Sequence, residues 1–286
     1  MRVATRFRMP LAAAVGLLLL LGSLNAAAAE LTFGVHPYLP AAELLARLTP
    51  LTDHLASKSG HRLTISIAPD YAEHIERTLA GRYDVAFLGP VSFVEVLERG
   101  GPDRTLARLE IRGSPTFHGI IFTRDDSPLT TLGQLAGQRM AFGDPHSTMS
   151  HLVPRHMLQQ AGVPLERLGG HAFLRNHVNV VFGVLAGDFA AGAVKEDVFD
   201  EQRHRGLRVL ARSPAISEHL FVARRGLDAA IVEDLRRAML AVHTEPGGRE
   251  RLSRFNRDLT ALVPVTAADY DNLRRILREL PADARP

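Results

Sequence analysis

The sequence predicts an α/β protein built as two lobes, and three observations carry that prediction. Short apolar, strand-like runs alternate with helical patterns along most of the chain, the pattern of mostly parallel sheets covered by helices on both faces. Two long extended runs, 117–124 and 219–224, each follow a Ser-Pro pair and read as strands crossing between lobes. After the second run the chain is mainly helical, over 228–243 and 267–280, as if it returns to the lobe where it began. The expected division is lobe I at 30–117 plus 219–286 and lobe II at 118–218. A ligand cleft would lie between them, at the carboxyl ends of the strands.

The elements follow in order. Residues 31–35 read as the first strand. Residues 40–59 place Leu44, Leu45, Leu48, Leu51 and Leu55 on one helical face, interrupted at Pro50 and stopped by Gly60. A strand at 63–68, a helix at 70–80 ended by Gly81, and a buried strand at 84–88 come next; Gly89-Pro90 turns into another short helix. The alternation resumes beyond the first crossing, with 132–135, 139–142, 171–174, 176–186, 192–194 and 207–211.

The most informative stretch is 142–150. A strand-like run ends at Phe142 and a helix-like run begins at His151. Between them Ser147, Thr148 and Ser150 place three hydroxyls in four residues at a helix entrance. Hydroxyl donors there, with the first free N–H groups and the positive end of the helix dipole, suit an oxyanion. An ordinary helix cap would need only Ser147 or Thr148.

The start of the chain bears on compartment. Arg2, Arg6 and Arg8 precede an apolar core at 11–21, and Ala27-Ala28-Ala29 offers a small-residue cleavage site. The span 1–29 therefore reads as a secretory signal peptide, with an apolar core shorter than the roughly 20 residues of a membrane span. No cysteine stands at the cleavage site, so no lipid anchor is expected. Removing 1–29 takes away three arginines and no acid, which lowers the net charge from +3 to zero. No basic stripe with interleaved aromatics is present, so nucleic acid is not an expected partner. The chain contains no cysteine, so the exported form must be held by core packing alone.

Several segments, taken in order, carry a family resemblance. They are Tyr71, then Gly81-Arg82-Tyr83-Asp84-Val85-Ala86-Phe87-Leu88-Gly89-Pro90, then Gly143-Asp144-Pro145-His146-Ser147-Thr148, Pro154, His177 and Ala191-Gly192-Ala193-Val194. Their order and spacing resemble the phosphonate-binding type of periplasmic solute-binding protein, a family with phosphate- and phosphite-binding members and members that feed sensor kinases. The resemblance implies a type II periplasmic-binding-protein fold whose two lobes close over the ligand. It maps the anion site onto Ser147 and Thr148. Met149 stands where the family commonly has another hydroxyl, so either one donor is lost or Ser150 supplies it. Pro154 has no N–H, so either the helix kinks there or regular helix starts near Val153. His177 resembles the family's ligand-facing histidine. Tyr71 could reach the ligand through its phenol, Tyr38 could line the cleft beyond the first strand, and His118, on the first crossing, is counted with the site.

Departures from the family narrow the ligand. Lys195 falls where the family often has an acid able to hold a substrate amine; an ammonium there would repel an aminoalkyl group and attract an anion. Phe93 and Phe117 stand where tyrosine is common in relatives. These changes count against 2-aminoethylphosphonate and leave phosphate, phosphite, a simple alkylphosphonate or another tetrahedral oxyanion. Other chemistries have less support. His146, His151 and His156 recur at five-residue steps, which rotate around a helix. There is no His-Glu-x-x-His and no Gly-x-Ser-x-Gly elbow, so neither a metal site nor a serine hydrolase at Ser147 is favoured. The expectation is a monomeric, cofactor-free, non-enzymatic binding protein. Its partner is an inner-membrane ABC permease or, alternatively, a periplasmic sensor domain.

Overall fold

A computed structural model describes residues 28–282. Most of the expected signal peptide, 1–27, lies outside the described residues, and none of the described helices is long and apolar enough to cross a membrane.

In chain order the first sheet begins with β1 (Glu30–Val35), α1 (Ala41–Ser59), β2 (Arg62–Ile67), α2 (Tyr71–Leu79), β3 (Val85–Leu88), α3 (Pro90–Glu98) and β4 (Arg104–Ile111). The chain crosses at β5 (Thr116–Phe117) into β6 (Gly119–Arg124), β7 (Arg139–Phe142), α4 (Val153–Gln160), β8 (Gly170–Phe173), α5 (His177–Leu185), β9 (Ala191–Lys195), α6 (Glu196–Gln202) and β10 (Leu207–Arg212). It returns through β11 (Ile216–Ser217) to β12 (Leu220–Ala223), α7 (Ala229–Ala241), α8 (Gly248–Phe255), β13 (Leu259–Val263) and α9 (Asp271–Glu279).

Two sheets result, ordered β13-β4-β12-β3-β1-β2 and β10-β6-β9-β7-β8, and a two-stranded ribbon pairs β5 with β11. Both sheets are mixed. Strands β1, β2 and β3 run parallel, as do β7, β8 and β9, whereas β4, β12, β13, β6 and β10 pair antiparallel. The expected mostly parallel sheets correctly describe the β–α units only, because a strand entering a sheet from the crossing runs against its neighbours. The crossing itself is shorter than the extended runs suggested. Phe117 and Thr116 pair with Ile216 and Ser217, while β6 and β12 already belong to opposite sheets.

Apolar side chains on both faces of the first sheet explain its two cores. Leu44, Leu48, Leu51 and Leu55 of α1 join Leu235, Met239 and Phe255 on one face; Ile75, Val91, Phe93, Tyr270 and Leu273 cover the other. Leu45, expected on the buried face of α1, is 44% exposed. The helix also continues through Pro50. A proline inside a helix costs about 3 kcal/mol, and the fully buried leucine face offsets that cost. Gly60 ends α1 in the left-handed conformation, as expected. The strands β4 and β13 and the helix α8 were not anticipated; arginines break up the apolar period of β4 and α8, whereas β13 is a short apolar run, too short for periodicity alone to assign.

Candidate functional site

The carboxyl ends of four strands, two adjacent ones from each sheet, meet in one place. His36 follows β1, Gly89 follows β3, Ser147 follows β7, and Lys195 closes β9. In open α/β sheets ligands bind at such ends, where helix N-termini also point. Tyr38, Tyr71, Ser147, Thr148, Met149, His177 and Lys195 surround one small pocket together with Gly89, Phe117 and His219. Seven of the nine residues expected at the site are thereby brought together.

The segment after β7 is built locally. Ser147 Oγ accepts the Ser150 N–H at 3.2 Å, capping a π-helical turn over Thr148–Leu152 that leads into α4. Pro154 is the second residue of α4, where its missing N–H costs nothing, so regular helix starts at Val153 as the sequence allowed. Gly143 is required here, because a Cβ would lie 2.7 Å from Ser150 Oγ.

The three hydroxyls then differ in their freedom. Ser150 accepts the Gly143 N–H at 2.7 Å and donates to the Ala193 carbonyl, so both its roles are used within the fold. It does not line the pocket. Ser147 and Thr148 each act as acceptors, Ser147 for Ser150 N–H and Thr148 for Val91 N–H at 3.0 Å. A hydroxyl that accepts from the backbone still has its own proton to donate. Both residues line the small pocket, and Val91 belongs to the first turn of α3, so two helix N-termini converge there. Met149 turns its sulfur towards Ser213 Oγ, 3.9 Å away, and adds an apolar wall.

His177 opens α5 behind the Asn176 cap. Its Nδ1 accepts the Lys195 N–H at 3.0 Å, which places the ring proton on Nε2, 3.4 Å from Ser147 Oγ. Burial lowers its pKa to about 4, so the neutral ring offers a single fixed donor. Burial raises the phenol of Tyr71 well above its ordinary value; Asp144 adds to the shift and a hydrogen bond with Ser147 opposes it. Burial likewise raises Tyr38. Both phenols therefore remain protonated donors. His118 lies elsewhere. Its Nδ1 donates to the Ser213 carbonyl at 2.7 Å, and it lines a separate depression with Arg112 and Glu196.

Lys195 requires a correction. It is buried, as a ligand-facing residue would be, but its ammonium sits 2.7 Å from Glu218 and 3.5 Å from Asp197, over the ring of Phe117. Burial alone would lower its pKa; the two carboxylates overcome that and hold it raised. One ammonium faces two carboxylates, so this end of the pocket does not present the free positive charge expected from the sequence. Glu218, fully buried, and its neighbour His219 escaped the sequence reading. An adjacent acid and histidine at the start of the second crossing was the only available signal.

A family model for the periplasmic substrate-binding protein of phosphonate ABC transporters matches residues 33–270. The chain belongs to that family. It is 26% identical over 273 residues to the phosphate-import protein PhnD of Mycolicibacterium smegmatis, a match covering 86% of this chain and 84% of the relative. A phosphonate-transporter binding protein from Pseudomonas aeruginosa shares the fold with a TM-score of 0.80 at 18% identity, over 90% of this chain and 92% of that one. PhnD1 of Prochlorococcus marinus, solved in complex with methylphosphonate, gives 0.79 at 20% identity, over 87% and 97%. The fold is thus the type II periplasmic-binding-protein fold, and the protein is a periplasmic substrate-binding component of an ABC transporter of this class.

Proposed function

We propose that the protein captures a small tetrahedral phosphorus oxyanion, a phosphonate, phosphite or phosphate, between its two lobes and presents it to the permease. The observation that carries this reading is that Ser147 and Thr148 serve the backbone only as acceptors, so each hydroxyl still has a proton to donate, in a pocket they share with Tyr71 and His177. The lobes are 30–117 plus 219–286 and 118–218, hinged at the β5–β11 ribbon, with export through the signal peptide at 1–29.

Binding rather than hydrolysis is supported by the tautomer of His177. Its Nε2 carries the proton, so it cannot take one from Ser147 despite their proximity. The small apolar walls of Met149 and Phe117 favour a compact ligand.

Replacing Ser147 and Thr148 together with alanine should weaken methylphosphonate or phosphate binding by about 2–4 kcal/mol, since each hydrogen bond to a charged group contributes about 1.5–3 and water restores part. Calorimetry on the folded variant measures this. Scattering on the wild type should show a smaller radius of gyration with ligand. An unchanged Kd removes these residues from the site, and an unchanged radius argues for a rigid one.

A further inference from the structure

The pocket has a second wall that the hydroxyls do not explain. His36, immediately after β1, is fully buried. Its Nδ1 lies 3.1 Å from the Phe87 carbonyl, which can only accept, so Nδ1 carries the proton. Nε2 is then a bare acceptor, and it has no partner within the protein. Buried polar atoms are nearly always paired, so an orphan beside a ligand pocket points to a ligand group.

His219 repeats the arrangement. Its Nδ1 donates to Glu218 at 2.8 Å, which leaves Nε2 as an acceptor. The rings of His36 and His219 stack at 5.4 Å with only 12° between their planes. Both Nε2 atoms lie close to Gly89, which lines the pocket with His219: a Cβ on Gly89 would stand 3.6 Å from His219 Nε2 and 3.9 Å from His36 Nε2. Glycine at this position leaves that space for a ligand atom.

We infer that His36 Nε2 reads the remaining proton of a singly ionised phosphorus oxyanion, accepting its P–O–H hydrogen bond with His219 stacked beside it, while Ser147, Thr148 and His177 donate to its other oxygens. This rests on the anion-binding role proposed above. The corresponding ligand class is the monoanion of a phosphonate, phosphite or phosphate. Sulfonates and sulfate are fully ionised near neutral pH and have no such proton, so they would set oxygen lone pairs against nitrogen lone pairs. Sites that hydrogen-bond a particular O–H reject analogues lacking it strongly, because their own buried groups are left unpaired.

The surroundings keep both rings neutral. His36 is faced by Tyr38, by Tyr71 and His74 of α2, by His219 and by His177 of α5. Burial, then the nearby His219 and His74, hold it well below its ordinary pKa. His219 is faced by Glu218, by Lys195 of β9 and by Asp197 of α6; burial lowers it although Glu218 and Asp197 pull the other way.

The test compares methylphosphonate with methanesulfonate by calorimetry on the wild-type protein from about pH 6 to about pH 9. Methylphosphonate should bind at least about a hundredfold tighter near neutrality. Above the ligand's second ionisation its affinity should fall about tenfold per pH unit, following the monoanion fraction, beyond any change seen with methanesulfonate. His36→Phe, which keeps a stacked ring, should cost at least about tenfold for methylphosphonate. Phosphonate affinity that rises with pH, or equal affinity for the two anions, overturns the inference while leaving an anion site at Ser147. Failure of both anions to bind at any pH overturns the inference together with the reading beneath it. The wild-type profile decides the question even if His36→Phe does not fold.

Discussion

The two ends of the pocket handle polar groups in opposite ways. At one end Ser147 and Thr148 use their oxygens as acceptors for backbone N–H groups and keep a proton each to donate. At the other, Lys195, Glu218 and Asp197 satisfy one another, with Phe117 beneath the ammonium. The hydroxyl end is unfinished without a guest, whereas the charged end is already complete. A strongly charged residue in a pocket is therefore not automatically a ligand contact, and a neutral serine can be. Charge neutralised internally costs much less to bury than charge left alone.

That contrast is broken most forcefully at Lys195. Lys195→Met would leave the fully buried Glu218 and the partly exposed Asp197 without this cation. Removing one partner of a buried pair costs about 3–5 kcal/mol, so thermal unfolding should shift down accordingly. A ligand carrying its own ammonium, such as 2-aminoethylphosphonate, should recover part of the loss in the variant and not in the wild type. A variant as stable as the wild type would show that the carboxylates are not held by this ammonium.

A subtler comparison separates hydroxyls three residues apart. Ser150→Ala removes the partner of the buried Gly143 N–H and a donor to Ala193. It should lower stability by about 1–3 kcal/mol, the cost of leaving a buried group unpaired. Ligand affinity measured on the folded fraction should change by much less than with the Ser147 and Thr148 replacements. Equal loss of affinity would mean that the three hydroxyls act as one cluster.

The sequence made the hydroxyl end legible because its signal is local: a strand, a glycine, clustered hydroxyls and a displaced proline lie within one stretch of chain. The order of β–α units was legible for the same reason, since an apolar period shows in neighbouring residues. The charged end was not. Lys195 and Glu218 are separated by 23 positions and meet only because β9 and the β11–β12 junction converge. Residue type alone indicated a cation; its neutralisation is a tertiary fact. His36 was hidden for a related reason. Its Phe87 partner lies on β3, and a single histidine after a strand gives no sign that one nitrogen will be bonded and the other left open.

The most direct test is a crystal structure of the protein with methylphosphonate bound. The phosphorus should lie between the two walls, with its oxygens within hydrogen-bond distance of Ser147 Oγ, Thr148 Oγ1 and His177 Nε2, and its methyl group towards Met149 and Phe117. Density for the ligand at another place, such as the surface depression lined by Arg124 and Arg139, with Ser147 and Thr148 untouched, would contradict the account.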